Sequence, residues 1–501
     1  MGEPKNGDCG FSSTQPTSTP NQQIARNSTD HSAKEQQALA LINQGRLQEA
    51  EEIYKALIAA GTRNHIVYCN LAALCGMQGK PDAAIHLLQK TLELQPNHPE
   101  THNNLGNALK ERGDLSAAIA CYSKAVTLKP NFQEAHNNLG NALKEQGNHT
   151  AAIAAYNKAL ALKPDSPETH HSRGLSLKKN GDRKSAIKAY KQAIALNPNY
   201  RDAHTNLGVA LQEEGRLDEA IEALSTAFHL DTNHSLTQWN LSLALLMSGN
   251  YKQGWLHYEA RQSIWAHNSQ IVLPNEQRWS HESTAQPTHV LLVSEQGLGD
   301  TLQFMRYVLE LRNRGTSTSL CAPTKLHSLI QASGIDAAPV SGEGTEINGH
   351  TTWLPLLSLP GRLGVSPNNP IITKPYIKTT DALATKWGHL LSGERRPIIG
   401  INWQGDQNTE KASLKGRSLA LETFAPIARR TSSTLLSLQK GFGSEQLEAC
   451  SFRDHFASCQ PLVDETWDFL ETAAIIENCD LVITSDTAVA HLAGGMGKTT
   501  W

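Results

Sequence analysis

Two periodicities divide the chain. From about Glu35 to His267, apolar and small residues recur as in paired amphipathic helices, and the pattern repeats every 34 residues over about seven units. Gly45, Gly79, Gly113, Gly147, Gly181, Gly215 and Gly249 form one series, and Ala50, Ala84, Ala118, Ala152, Ala186 and Ala220 a second. A third is Tyr54, Leu88, Tyr122, Tyr156, Tyr190, Leu224 and Tyr258, and a fourth Pro96, Pro130, Pro164 and Pro198. The glycines supply tight turns between antiparallel helices, the alanines sit where helices approach, and the aromatics fill the space between units. Proline lacks an N–H and biases its predecessor away from helix, so it separates one unit from the next.

From His289 the pattern changes to short apolar strands alternating with helices. "HVLLVS" reads as a buried strand, followed by the Gly-rich turn "EQGLGD" and a helix from about Thr301 to Arg314. Further strands are expected at Ser319–Ala322, Pro397–Trp403, Leu435–Leu438 and Leu481–Thr484. Helices are expected at Lys325–Ala332, Asp381–Leu391, Glu422–Arg430 and Asp468–Asn478. Such alternation predicts parallel sheets of the doubly wound type. The expected organisation is a disordered leader over 1–34, a solenoid over 35–267, a polar connector over 268–288, a first α/β lobe over 289–378, an inter-lobe helix and hinge over 379–396, and a second lobe over 397–501.

Composition narrows this picture. A chain of 501 residues is too long for one core. A net charge of −3 argues against a broad nucleic-acid-binding face. No apolar run approaches the ~20 residues that span a bilayer. Eight cysteines without a C-x-x-C pair read as buried thiols in a reducing, cytoplasmic setting rather than a disulfide framework.

Polar positions within the repeats bear on function. Asn70, Asn104, Asn138, Asn206 and Asn240 share one repeat position, with Ser172 in the remaining unit, and Asn107 and Asn141 lie one turn further along the same helix face. An asparagine amide can donate to and accept from an extended peptide backbone at once. The plainer reading is that these amides brace neighbouring helices. A histidine series, His102, His136, His170 and His204, invites a metal. Stacked helices lie ~8–10 Å apart and a zinc–nitrogen bond is ~2.0–2.1 Å, so packing or groove polarity is the expected role and no metal site is assigned. The 34-residue period and its fixed positions resemble the tetratricopeptide-repeat family. The run "NNLGNALKEQG" resembles the repeats of protein O-linked N-acetylglucosamine transferases, which implies that the first helices line a concave groove holding a protein or peptide.

Three familiar motifs fail in the second half. After Gly297 and Gly299 the third glycine of a dinucleotide fingerprint would fall at Leu302. "GGMGKTT" has Leu492 where a P-loop needs its first glycine, and it follows a helix. No G-x-S-x-G occurs. The ordered set "LLVSEQGLGDTLQFMRYVLELRNRG", "WLPLLSLP", "IGINWQG", "RSLALETFAPI", "LLSLQKG" and "LVITSDTAVAHLAGGMGK" resembles glycosyltransferase family 9, the heptosyltransferase-like enzymes, in a version fused behind tetratricopeptide repeats. The resemblance implies a two-lobed nucleotide-fold (GT-B type) α/β half and inverting, metal-independent transfer from a nucleotide-sugar, used as co-substrate with no other cofactor. It assigns Asp300 as the catalytic base, although Asp also N-caps helices well. Donor contacts are expected from Asp486, Thr487 and His491 at a helix N-terminus. Arg417 and Lys440 would neutralise the diphosphate, with a solvated role equally open, and Gln404 and Gly405 would line the cleft floor. Family members continue beyond the position of Trp501, so the second lobe is expected to be incomplete by ~60–90 residues, and a catalytically inactive protein-binding scaffold stands as the alternative function.

Overall fold

A computed structural model describes residues 22–265, 277–280, 286–341, 352–371, 374–405, 418–430 and 432–501. The chain divides into two compact units, Met1–Thr232 and Asn233–Trp501.

The first unit is a stack of helix pairs. Gln22–Asn43 pairs with Leu47–Ala59, His65–Met77 with Pro81–Leu94, and Pro99–Glu111 with Leu115–Leu128. Gln133–Glu145 pairs with His149–Leu162, Pro167–Lys179 with Arg183–Leu196, and Arg201–Glu213 with Leu217–Leu230. The turn glycines sit at φ +68° to +89°, a left-handed conformation that side chains disfavour. A second glycine series has a different cause. A Cβ on Gly106, Gly140 or Gly174 would lie 2.5–2.6 Å from the ring of Tyr122, Tyr156 or Tyr190, so each first helix rests directly on the aromatic of its own second helix. Those tyrosines are almost wholly buried, as are the alanines of the repeating series. First helices of successive pairs meet one another as well as the intervening second helices, which puts them on the tighter, inner side of the stack.

Two parts of the sequence-based organisation are corrected here. Residues 1–21 of the expected leader lie outside the described residues, but the first helix already begins at Gln22, because no proline or glycine interrupts the chain between Pro20 and Gly45. The seventh helix pair, Ser235–Met247 and Tyr251–Tyr258, belongs to the second compact unit. Within that unit the Trp255 indole donates to the Val365 carbonyl at 3.0 Å, and Arg261 is sunk among groups of the α/β part.

The α/β part contains two small parallel sheets. The first has the order β1 (Gln277–Arg278), β4 (Thr352–Pro355), β2 (His289–Val293), β3 (Ser317–Cys321), with Leu292 opposite both Leu320 and Leu354. The expected connector therefore supplies an edge strand, too short to show a period. It is anchored by the buried Trp279, whose backbone N–H donates to the Trp353 carbonyl. The second sheet has the order β6 (Thr434–Ser437), β5 (Ile398–Asn402), β7 (Leu481–Thr484), and Thr500 continues the pairing beside β7. Leu298–Phe304, Arg306–Asn313, His327–Ala332, Asp381–Leu390 and Phe469–Glu477 are the main helices between strands. One apolar cluster, including Leu292, Leu302, Leu354, Trp387, Leu436, Ile475 and Leu492, runs through both sheets' surroundings.

Candidate functional site

On the inner face of the repeats, most of the asparagine series is engaged within the fold. Asn70 is buried and donates to the Tyr54 hydroxyl at 3.2 Å. Asn107 and Asn141 accept from the hydroxyls of Tyr122 (2.7 Å) and Tyr156 (2.8 Å), tying each first helix to its own second helix. Asn138 donates to Asn103 (3.1 Å) and Asn107 (3.3 Å) of the preceding repeat. Asn206 donates to the Asp202 carbonyl and to Nε2 of His171, both at 2.9 Å. Asn104 and Asn240 are half-buried and make no side-chain hydrogen bond among the described residues, and Asn240 lies in the second unit. Asn138 and Asn206 thus form a bonded seam between successive first helices, and Asn70, Asn107 and Asn141 tie first helices to second helices.

His171 completes that seam and was not singled out by the sequence pattern, because it replaces the asparagine found at Asn103 and Asn137. Since the Asn206 amide can only donate to Nε2, the ring proton sits on Nδ1, where it donates to the Tyr200 hydroxyl at 3.1 Å. Burial holds the ring's proton affinity below the ordinary histidine value, with Lys144 acting in the same direction and Asp202 against it. The other histidine series has a plain structural role. His102, His136, His170 and His204 each place Nε2 2.9–3.0 Å from the carbonyl of the proline six residues before, so each ring clasps the end of the preceding helix.

In the second unit, both sheets direct the C-terminal ends of their strands into loops that open helices, the usual place for ligands in α/β folds. Leu298–Phe304 follows β2 and Ala488–Gly495 follows β7. These helix N-termini approach closely at Gly299, where a Cβ would stand 3.0 Å from Cδ2 of His491 and 3.5 Å from Cα of Ala488. Asp300 is half-buried in the first turn. The N-cap is Gly297, so Asp300 is not the capping residue that one reading of the sequence allowed.

Across this junction the helix Ala488–Gly495 has no side-chain cap. The Thr487 hydroxyl instead bonds Asn402 Oδ1 (3.1 Å) and Thr484 Oγ1 (3.2 Å). Asp486 is largely exposed and lies 4.0 Å from His491 Nε2. The Asn402 amide donates to Gln439 Oε1 at 3.0 Å, which also accepts from the backbone N–H groups of Trp403 and Gln404. The Gly405 N–H donates to Ser418 Oγ at 3.3 Å, and a Cβ on Gly405 would come 3.7 Å from Thr487. Asp486, Thr487, His491, Gln404 and Gly405 are therefore gathered about the strand ends. Lys440 is turned elsewhere: its ammonium donates to the Val463 carbonyl, and burial lowers its proton affinity. Arg417 lies outside the described residues. Asn402 and Gln439 escaped the sequence reading; the signal available was a polar residue closing each of the apolar runs "IIGIN" and "LLSLQ".

An ion cluster around a buried arginine braces the first sheet's strand ends. Arg261 is 1% exposed and donates to Glu295 (2.6 and 3.2 Å), Glu259 (3.2 Å), Ser358 (2.8 Å) and the Tyr258 carbonyl (3.1 Å). Its guanidinium also stacks on Tyr258, 4.6 Å from the ring centroid. Glu295 stands two residues beyond β2 and Ser358 three beyond β4, so one arginine ties together the loops that begin there. Burial raises the Glu295 carboxyl above the usual range, while Arg261 opposes it.

Comparison with known proteins bears on the repeats. Models described as TPR repeat or tetratricopeptide repeat match residues 35–99, 87–120, 106–147, 140–181 and 171–235. Residues 35–235 are thus a tetratricopeptide-repeat solenoid. MamA is 29% identical over 32% of this chain and 95% of its own, with a TM-score of 0.32. YrrB, described as a TPR protein with an unusual peptide-binding site, is 23% identical over 36% of this chain and 92% of its own, with a TM-score of 0.33. The C-terminal part of a TPR repeat-containing protein from Cytophaga hutchinsonii is 16% identical over 45% of this chain and 94% of its own, with a TM-score of 0.40. No curated protein matches the chain. No helix among the described residues is long and apolar enough to cross a membrane.

Proposed function

We propose that the repeats bind an extended protein or peptide segment on their inner face and that the second unit transfers a sugar from a nucleotide-sugar donor. The observation that carries the enzyme reading is the approach of two helix N-termini at Gly299, each opened by a loop from the end of a parallel strand. In this reading the uncapped N-terminus of Ala488–Gly495 receives the donor's diphosphate through backbone N–H groups, and the Thr487 hydroxyl lies beside it. Asp300 takes the proton from the acceptor hydroxyl as its oxygen bonds to the anomeric carbon, and the bond from that carbon to the diphosphate oxygen breaks. His491 and Asp486 flank the departing group. Arg417 is assigned to its charge by the family resemblance alone.

One observation favours the alternative, an inactive protein-binding scaffold: the Lys440 ammonium sits on a backbone carbonyl and is not offered to a diphosphate. Calorimetric titration with UDP, ADP and GDP separates the two readings. Saturable binding of one of them, lost in an Asp486→Ala/Thr487→Val variant that still folds, supports the enzyme and calls for a transfer assay with Asp300→Ala. A folded chain that binds none of them leaves the scaffold reading.

A further inference from the structure

Within the repeats a row of lysines follows the asparagine ladder: Lys110 and Lys144 stand one turn beyond Asn107 and Asn141, and Lys178 occupies the same position in the next unit. Two of them make the same bridge. Lys110 reaches Glu145 at 2.7 Å and Lys178 reaches Glu213 at 2.8 Å, in each case the residue 35 positions on, in the first helix of the following repeat. The same step from Lys144 leads to Lys179. A like charge stands where the pattern needs an acid. Lys144 is half-buried and makes no ion pair among the described residues. The adjacent Glu145 is engaged by Lys110, and Lys179 is exposed and also without a carboxylate among the described residues. Burial disfavours the ammonium of Lys144, and the neighbouring Lys110 adds to this while Glu145 works against it. A desolvated cation of this kind gains most from an anion brought to it.

Resting on the reading of this face as a peptide groove, we propose that Lys144 and Lys179 form a carboxylate-binding position, so that the groove takes an extended segment carrying an acidic side chain opposite the boundary between Gln133–Glu145 and Pro167–Lys179. The internal bridges at Lys110–Glu145 and Lys178–Glu213 close the equivalent positions on either side. The break in the pattern therefore fixes where along the groove the acidic residue lies. Asn104, the amide left without a bond in the repeat before Gln133–Glu145, is placed to meet the segment's backbone nearby.

The test uses the full chain and three fluorescently labelled pools of random twelve-residue peptides, built from Ala, Gly, Ser, Thr and Val around a central Glu, Gln or Lys. Anisotropy titrations should show the Glu pool binding about fivefold more tightly than the Gln pool, with the Lys pool weakest and the preference shrinking as salt rises. Lys144→Gln should abolish the preference. Lys179→Glu should do the same by a different route, because it completes the internal bridge and occupies Lys144 while leaving the Lys144 ammonium in place. Asn104→Ala should weaken all pools alike. Equal affinity for the Glu and Gln pools in the native chain, or a preference that survives both lysine substitutions, overturns the acidic-position assignment while leaving the groove in place. Binding of no pool at all overturns the groove reading and the assignment with it.

Discussion

Single residues in the repeats carry effects that their sequence neighbours do not announce. Gly140 lies mid-helix, where alanine would ordinarily add ~1 kcal/mol of helix propensity. A Cβ there would come 2.6 Å from the Tyr156 ring, so overpacking reverses the sign. We expect Gly140→Ala to destabilise the repeat unit by about 1–3 kcal/mol, read from the urea midpoint. His171 gives a pH effect with a definite direction. Its neutral ring is favoured in the fold, so the unfolded chain takes up a proton at about pH 6.5 while the folded chain still resists. Stability attributable to this group is therefore intact above that pH, and falls as the pH drops through it toward the lower folded value. His65 and His170 are displaced the same way, so the contribution of His171 is the difference between the native chain and His171→Gln. Urea midpoints for the pair should diverge less at pH 5.5 than at pH 7.5; a constant difference would refute the assignment.

At the scale of elements, the helical pairs were legible because each repeat restates the same constraints, and each restatement strengthens the reading. Five strands of the second half were legible from apolar runs bounded by turn residues, and β5, β6 and β7 fall where those runs predict, whereas β4 was not assigned. β1 was hidden because two residues carry no period. The seventh helix pair was assigned by its pattern to the repeats, yet its chain neighbours Glu259 and Arg261 are bonded into the α/β part. That placement makes a prediction. Arg261→Ala leaves the largely buried Glu295 without its cation, while Glu259 keeps Arg278, and should cost about 3–5 kcal/mol. The loss should appear as a lowered urea midpoint of a fragment covering 233–501. Equal midpoints for the native and substituted fragments would refute the bracing role of Arg261.

For the whole molecule, binding of peptides and of nucleotides is expected to partition between the two units. A nucleoside diphosphate that binds at 100 times its Kd should stabilise the fragment 233–501 by ~2.7 kcal/mol and leave 22–232 unchanged. Thermal unfolding of each fragment with UDP, ADP or GDP measures this directly. A shift in the repeat fragment, or in neither, would argue against a donor site beside Thr487. The sequence by itself determined the repeats, their turns and spacing, the parallel-strand character of the second half, and a short set of polar candidates at strand ends, since these follow from local periodicity and from backbone constraints at glycine and proline. Only the tertiary structure decided which polar groups are consumed. It bonded most of the asparagines within the fold, turned Lys440 to a carbonyl, drew Asn402 and Gln439 beneath Thr487, and left Lys144 without the acid its register calls for. A side chain's partner depends on which distant segment folds against it, and one segment's periodicity carries no record of that.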